Sequence, residues 1–409
     1  MPPKRTKHGK APAHRKAPIR KPRRRAPVKK HVRFNLPKRK PAKSRKHSPR
    51  KAPTKKPSPH VELPNVTGHI DRLKGPVTLD ILDNPQTGAR IVLLGDEHVN
   101  KLKCPSEESK HGVPVWLYLD GIFRSWKGPA HLDFFFELLV PDARGKDKPP
   151  SKKIRQALEE GRTENKMFGE DELNESFLHS MRSFFFHCLQ KSKQACEYRV
   201  NPVRFHYTDV RRGVIYSETD EKTKVLVNDL RKAFDFNKPL KGSKLRFVSK
   251  LLDKIKQRDV DFFFHLTKLD RQLRELSKVD QTAVPLLRQF VVSAFERATP
   301  IVDKLIKLIR EIETGIVDET QKKFAPLIVF EGLAISLASL LDAYTLARMF
   351  RFNMKRVIIY AGFAHTEAII KFLTAKMNFR ISVSKHSQNK GSDSFQCIDM
   401  KGVPQPWFT

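Results

Sequence analysis

The sequence predicts an α/β fold: a mostly parallel central sheet flanked by helices, with a long helical insert and a disordered basic N-terminal tail. Three observations predict it. Short apolar, β-branched runs lie near both ends of the body, at residues 89–94 (Ala-Arg-Ile-Val-Leu-Leu) and 356–360 (Arg-Val-Ile-Ile-Tyr), as strands buried on both faces do. Residues 222–352 between them read almost wholly as helix. The first 60 residues hold 24 Lys and Arg, no Asp or Glu, and 12 of the chain's 28 prolines. Such a composition cannot bury enough apolar surface to offset chain entropy.

The elements follow in order. Residues 61–76 read as a linker. A short strand is expected over 77–82, and a buried strand over 89–94 that stops at Gly95. Residues 113–126 are apolar and aromatic and read as helix, and 131–140 as strand. A polar surface loop with one helix covers 143–170, a helix 172–191 and a short strand 203–209. The helical stretch is expected to break near 237–242, 280–285, Pro300 and 318–326. A buried strand at 356–360, a helix at 364–377 and closing strands at 379–385 and 394–400 complete the body. Residues 77–220 and 353–409 thus form two halves of one α/β domain, and 221–352 an insert that serves as a subdomain or a lid. Three Phe-Phe-Phe runs (134–136, 184–186, 262–264) read as core packing rather than a ligand cradle.

Composition excludes several classes. The four cysteines (Cys104, Cys188, Cys196, Cys397) show no CxxC spacing, so neither a disulfide scaffold nor a zinc ribbon is expected. His187, Cys188 and Cys196 could bind zinc only with a fourth ligand that no motif supplies. The charged start lacks an apolar leader, which points to an intracellular and not a secreted protein. Residues 325–347 are the best membrane candidate, but Glu331 and Asp342 interrupt them and a buried helix explains them better, so no membrane span is expected. Walker A, Rossmann, Gly-x-Ser-x-Gly and kinase signatures are missing from the sequence.

The chain's formal net charge of +36 is concentrated in the tail; the remaining residues carry 56 basic and 44 acidic groups. Clusters at Lys21, Arg23, Arg24, Arg25, Lys29 and Lys30, and at Lys38, Arg39 and Lys40, alternate with proline steps that keep the chain extended. Their expected partner is nucleic acid, bound by phosphate neutralisation and counterion release without sequence preference. Phe34 is the tail's one aromatic residue, so base stacking is not the main mode. Packaging and nuclear import both fit these clusters. Phosphorylation of Ser48 and Ser58, each in a Ser-Pro step, would weaken either.

The residues able to do chemistry follow two strands that end alike. One runs into Gly95-Asp96-Glu97-His98, the other into Gly362-Phe363-Ala364-His365. Glycine allows a sharp turn and close approach to the backbone, histidine suits metal ligation or proton transfer, and ligands of open α/β sheets bind at the strands' carboxyl ends. Gly128-Pro129-Ala130-His131 precedes its strand and is a chance match. If the two strands are neighbours, His98 and His365 converge, with Glu97 or Asp96, Glu137 and Asp209 as nearby carboxylates. His98, His365 and Asp209 could then hold a divalent metal (Mn, Zn or Co) with an open water position, Glu137 or Glu97 could act as general base, and Arg211 could hold an anion or a developing oxyanion. The bland alternatives are turn histidines, a Glu137–Arg211 salt bridge, and structural His187, His206 and His265.

The paired motifs resemble the superfamily joining TIKI proteases, TraB and pheromone-shutdown proteins, erythromycin esterases and ChaN-like haem-binding proteins. Glu137, closing Phe134-Phe135-Phe136, matches the acid that follows the first motif in that superfamily. Tyr207-Thr208-Asp209-Val210-Arg211 and Asp342-Ala343-Tyr344-Thr345-Leu346-Ala347-Arg348 look like uncharacterised members from large DNA viruses. The resemblance spans residues 77–400 and leaves the helical insert unmatched. It implies a hydrolase of peptide or ester bonds, metal-assisted or dependent on His98 as base, and a viral protein of the host nucleus or virion. A non-enzymatic virion- or chromatin-associated structural protein is the alternative, and haem binding through His98 or His365 a weaker one.

Overall fold

The computed structural model describes residues 69–97, 104, 112–139, 150–161, 177–189, 196, 198, 202–209, 242–267, 269–387 and 395–408. The tail and its basic clusters, His98 and Arg211 lie outside the described residues. Val61–Thr409 form one unit.

The main sheet has six strands in the order β6-β5-β7-β3-β2-β8. These are β2 (Thr78–Asn84), β3 (Ala89–Asp96), β5 (Leu132–Leu139), β6 (Val203–Asp209), β7 (Arg356–Gly362) and β8 (Arg380–His386). The four strands β6, β5, β7 and β3 run parallel; β2 and β8 add an antiparallel edge. The predicted fold class is therefore observed. A second, three-stranded sheet, β4-β1-β9, joins β1 (Arg72–Lys74), β4 (Gly112–Pro114) and β9 (Cys397–Asp399). Its members correct two expectations: the linker contains β1, and the last closing strand pairs with β1 rather than with the main sheet.

Alternation along each strand divides the core in two. Leu79, Ile81, Val92, Leu94, Phe134, Phe136, Ile358 and Tyr360 face one layer, which is built on α1 (Val115–Ser125), α3 (Phe177–Phe184) and α4 (Phe186–Leu189). Ile91, Leu93, Phe135, Val357, Ile359 and Ala361 face the other. That second layer is made by the insert, α5 (Ser243–Lys256), α6 (Val260–Leu266), α7 (Leu269–Ser277), α8 (Ala283–Thr314), α9 (Glu319–Ser336) and α10 (Ala338–Arg351), with α11 (Phe363–Lys376). The insert is thus neither a lid nor a separate subdomain. It is the layer that buries one face of the sheet. Helix α2 (Lys152–Glu159) lies in the expected polar region, opened by Ser151, whose side chain accepts from the Ile154 N–H. The three phenylalanine runs contribute buried rings to both cores: Phe134, Phe135, Phe136, Phe185, Phe186, Phe263 and Phe264.

Two expected breaks move. Pro300 lies inside the 32-residue α8 rather than ending it. Proline removes one helical N–H bond, and the adjacent Thr299 hydroxyl donates to the Phe295 carbonyl at 3.2 Å within the same turn. The break after α8 falls at Gly315, in the left-handed conformation, and Asp318 caps α9 by accepting from the Gln321 N–H; Pro326 is internal to α9. The stretch Glu319–Arg351 is apolar and long enough to cross a membrane, but more than half of its most apolar window is buried, which fits a core helix.

All four cysteines pair, Cys104 with Cys397 and Cys188 with Cys196. This corrects the expectation of no disulfide framework and removes zinc binding at His187, Cys188 and Cys196, because the thiolates that would ligate are consumed. The Cys104–Cys397 partners are 293 residues apart, so no motif spacing could reveal them.

Gly95 fixes how closely α11 approaches the sheet. A Cβ there would run into Thr78 Oγ1, and would lie 2.8 Å from Thr366 Oγ1 and 3.2 Å from the Phe363 backbone. We expect Gly95→Ala to destabilise the fold by about 1–3 kcal/mol through overpacking, read as a lower denaturation midpoint in urea; an unchanged midpoint would show that α11 can move away at no cost.

Candidate active site

The two Gly-x-x-His strands are hydrogen-bonded parallel neighbours. Gly95 of β3 stands opposite Ala361 of β7, and Asp96 opposite Gly362. The condition for convergence of the motifs is therefore met at the level of the strands, at the carboxyl edge of the sheet. Strand β5 flanks β7 on its other side and brings Glu137 to the same edge.

His365 sits in the first turn of α11, directly after β7. Its ring is almost fully buried and held from both ends. Nδ1 donates to Asp342 Oδ1 of α10 at 2.7 Å, and Nε2 stands 3.4 Å from Glu137 Oε1. Glu137 Oε2 also accepts the Gly362 N–H at 2.6 Å. Burial alone would push the imidazolium toward its neutral form. Asp342 first and Glu137 second outweigh it, and the pKa is pushed up to about 10. His365 is therefore a cation at neutral pH with a carboxylate at each nitrogen.

Asp342 was not among the residues expected to form the site. Its sequence signal is an acid inside the apolar run Leu340-Leu341-Asp342-Ala343, on a helix whose other buried positions are apolar or small. A buried carboxylate needs a partner, and that partner, 23 residues away, is His365.

The end of β3 carries a further polar group. Asp96 is buried and accepts from Gln396 Nε2 at 3.2 Å, and the buried Tyr360 hydroxyl faces it. Burial first, and the Asp96 charge second, hold the Tyr360 hydroxyl well above its ordinary range. Strand alternation puts Asp96 on the Val92 and Leu94 side, opposite the face that α11 covers. Glu97 follows, exposed. Asp209 is buried at the end of β6, where the register pairs it with Leu139. By the same alternation it belongs to the Phe205 and Tyr207 side. The structure thus brings Glu137 and His365 together and adds Asp342; the position of His98 and Arg211 lies outside the described residues.

A second buried network hangs from the same helix. Arg348 Nε of α10 donates to His206 Nδ1 at 3.1 Å, which leaves the His206 proton on Nε2, where it donates to Asp133 Oδ1 at 2.7 Å. Arg204 grips the same carboxylate with two bonds, at 2.6 and 2.7 Å. Burial, countered by Asp133 and reinforced by Arg348, holds His206 below its usual value, so it stays neutral at pH 7. Burial raises Asp133, but the His206 and Arg204 bonds outweigh it and the carboxyl stays low. His206 stacks on Phe135 at 4.5 Å. These contacts tie β6 to β5 and α10.

A metal would need a lone pair on His365, yet both ring nitrogens face carboxylates that hold the ring cationic. Among the described residues, no group of three or more His, Cys, Asp or Glu could hold a metal ion. The described donors therefore do not fit a resident divalent ion at His365.

Fold and site define an α/β protein with a buried Asp–His–Glu chain at the carboxyl edge of its parallel strands. No protein-family model, curated protein or solved structure matches the chain.

The His365 pKa carries a sign for stability. The folded value lies above the ordinary 6.5, so the folded state keeps a proton that the unfolded state loses. The stabilisation is complete below pH 6.5, and it is lost as pH rises toward about 10. Denaturant titrations should show wild-type stability falling across that window and a flatter profile for His365→Gln. At pH 6 the substitution should cost about 3–5 kcal/mol, because it leaves two buried carboxylates uncompensated. Parallel pH profiles for the two proteins would refute the cationic assignment.

Proposed function

We propose that the body is a hydrolase of peptide or ester bonds, of the TIKI, TraB and erythromycin-esterase-like type, and that the basic tail holds it on nucleic acid. The observation that carries the first part is the Asp342–His365–Glu137 chain at the carboxyl ends of β5 and β7, beside the strand that leads into Glu97 and His98. Buried groups with strongly displaced pKa values gather at functional sites, and this edge of an α/β sheet is where ligands bind. In this reading His365 is a positioning residue. As a fixed cation it locks the Glu137 carboxylate, whose other oxygen is tied to Gly362. Glu137 then orients the attacking water, and His98 takes its proton as the water oxygen bonds to the carbonyl carbon; Arg211 is assigned to neutralise the resulting oxyanion, whose collapse breaks the ester or amide bond while His98 returns the proton to the leaving oxygen or nitrogen. Glu97 is the substitute base.

The test is a screen of activated esters and peptide libraries with the nuclease-treated chain, with and without EDTA, Mn, Zn or Co. His98→Ala and Glu137→Gln should each lower kcat/KM by about 100-fold or more. Loss of activity in EDTA, restored by one of the metals, would replace the metal-free base by a metal-assisted water. A folded chain that turns over no ester or peptide under any of these conditions would sink the enzyme reading.

A second reading rests on the same observation. The buried trio ties β5, α10 and α11 together, which is also what a non-enzymatic virion- or chromatin-associated structural protein would need from it. Substitutions at Glu137 and Asp342 that lower stability with no activity to lose would favour that reading.

For the tail, log affinity for duplex DNA or RNA should fall steeply and linearly with log salt, and residues 61–409 alone should lose that slope. Anisotropy titrations at several salt concentrations measure both. Equal binding by the two proteins would move the nucleic-acid surface to the body.

A further inference from the structure

Helix α10 ends in a closed turn that fixes one exposed ring. Asn353 takes the left-handed conformation at φ 46°, its N–H donates to the Phe350 carbonyl at 3.0 Å, and the Met354 N–H returns to the Met349 carbonyl at 3.2 Å. This double closure satisfies the last carbonyls of the helix, and the buried Met354 supplies its apolar contact. Phe352, the C-cap, is left 45% exposed. A single exposed phenylalanine is ordinary. This one is flanked by two guanidinium groups, Arg351 at 4.7 Å and Arg348 at 6.0 Å from the ring centre. Both are held in place: Arg351 donates to Gln272 Oε1 at 3.0 Å, and Arg348 donates to His206 Nδ1 and to the Tyr344 hydroxyl, each at 3.1 Å. The ring and the cations beside it are therefore set before any ligand arrives.

Charge and shape select the occupant. No Asp or Glu occurs between Asp342 and Glu367, whereas Arg348, Arg351, Lys355 and Arg356 fall within nine residues. The neighbouring acids are engaged elsewhere. Glu275 lies 3.9 Å from Arg351 but bonds Lys278 at 3.0 Å, and Asp83, near Arg356, is gripped by Arg90 at 2.7 Å. Lys355 and Arg356 are half-buried, and among the described residues neither has an ion-pair partner. Arg356 donates to the Gly88 and Lys355 carbonyls. An excess of fixed cations calls for an anion. A planar aromatic face edged by guanidinium groups calls for a second flat π-system. A nucleotide carries both, and its base is open to stacking where the strand is single.

We propose that Phe352 is a stacking platform for a base of single-stranded nucleic acid, with Arg351 alongside the base and Lys355 and Arg356 neutralising the adjoining phosphates. The platform lies where α10 turns into β7, at the amino edge of the sheet. His365 and Glu137 lie at the opposite, carboxyl edge, so a strand bound here leaves that edge clear. Resting on the reading that nucleic acid is the chain's partner, the platform adds what the tail lacks. In that reading residues 1–60 neutralise phosphates, but they hold one aromatic side chain, Phe34. Phe352 instead holds a base by its plane, which every base offers, so the contact is tolerant of sequence.

Fluorescence anisotropy of the nuclease-treated full chain tests this, with labelled oligo(dT) and an abasic oligomer of the same number of phosphates, at several salt concentrations. The wild type should bind oligo(dT) more tightly by about fivefold or more. Phe352→Ala should bring the two affinities together without changing their salt dependence, since it removes no charge. Phe352→Leu, which keeps apolar bulk without the ring's plane, should do the same. Phe352→Trp should keep the preference, which a merely misfolded variant would not permit, and so should Phe34→Ala. Lys355→Ala/Arg356→Ala should keep the preference and flatten the slope of log affinity against log salt by about one to two. Equal wild-type affinities for the two oligomers overturn the platform, and if both still fall steeply with salt the tail reading stands. A preference that survives Phe352→Ala moves the stack to another residue and overturns it as well. Binding of neither oligomer sinks both readings.

Discussion

His365 held between Asp342 and Glu137 is the contact on which the arrangement at the carboxyl edge depends. Its three members come from α11, α10 and β5, and Gly362 adds β7 through its N–H. A buried carboxylate without a counter-charge is too costly to keep ionised, and two such carboxylates side by side would repel. One imidazolium removes both penalties. The local geometry then follows: α11 must begin immediately after β7 to put His365 there, and its first residues cross β3 at a point where only a glycine, Gly95, leaves room.

The same helix that supplies Asp342 also supplies Arg348, so α10 is tied to the sheet by two polar networks with an apolar seam between them. They differ in electrical character. The His365 network is a cation clamped by two anions. The His206 network contains a neutral histidine between an arginine donor and an already neutralised Asp133. The second fixes a fold. The first leaves a carboxylate held at the carboxyl edge of the parallel strands. A fold alone does not specify chemistry; what the two networks differ in is charge state.

Much of the fold was legible. The sequence located β2, β3, β5, β6, β7 and β8 to within a few residues; β3 and β7, buried on both faces, leave a continuous apolar signature, while the exposed edge strand β8 shows only alternation. Apolar and aromatic composition located α1, and helical patterning the insert. Pro300 misled because the rule against proline in helices concerns backbone bonds, whereas a packed 32-residue helix loses one bond and keeps its apolar face. The strands of the small sheet were too short to carry a periodic signal. Of the site, Glu137 and His365 were legible from the strand ends that carry them. Asp342 was not, since a lone acid on a helix has no sequence mark that names its partner.

By itself the sequence determined the class of fold, the separation of a basic tail from a body of nearly balanced charge, and the two strand-Gly-x-x-His units. These are properties of composition and short-range periodicity. Only the tertiary structure decided that the two units lie side by side, that the insert is a layer and not a lid, that Cys104 meets Cys397, and that Asp342 holds His365 in its charged form. Each of these joins residues separated by tens to hundreds of positions. Their proximity is set by which faces of the sheet must be covered, and that is a constraint on the folded body as a whole, not on any segment of the chain.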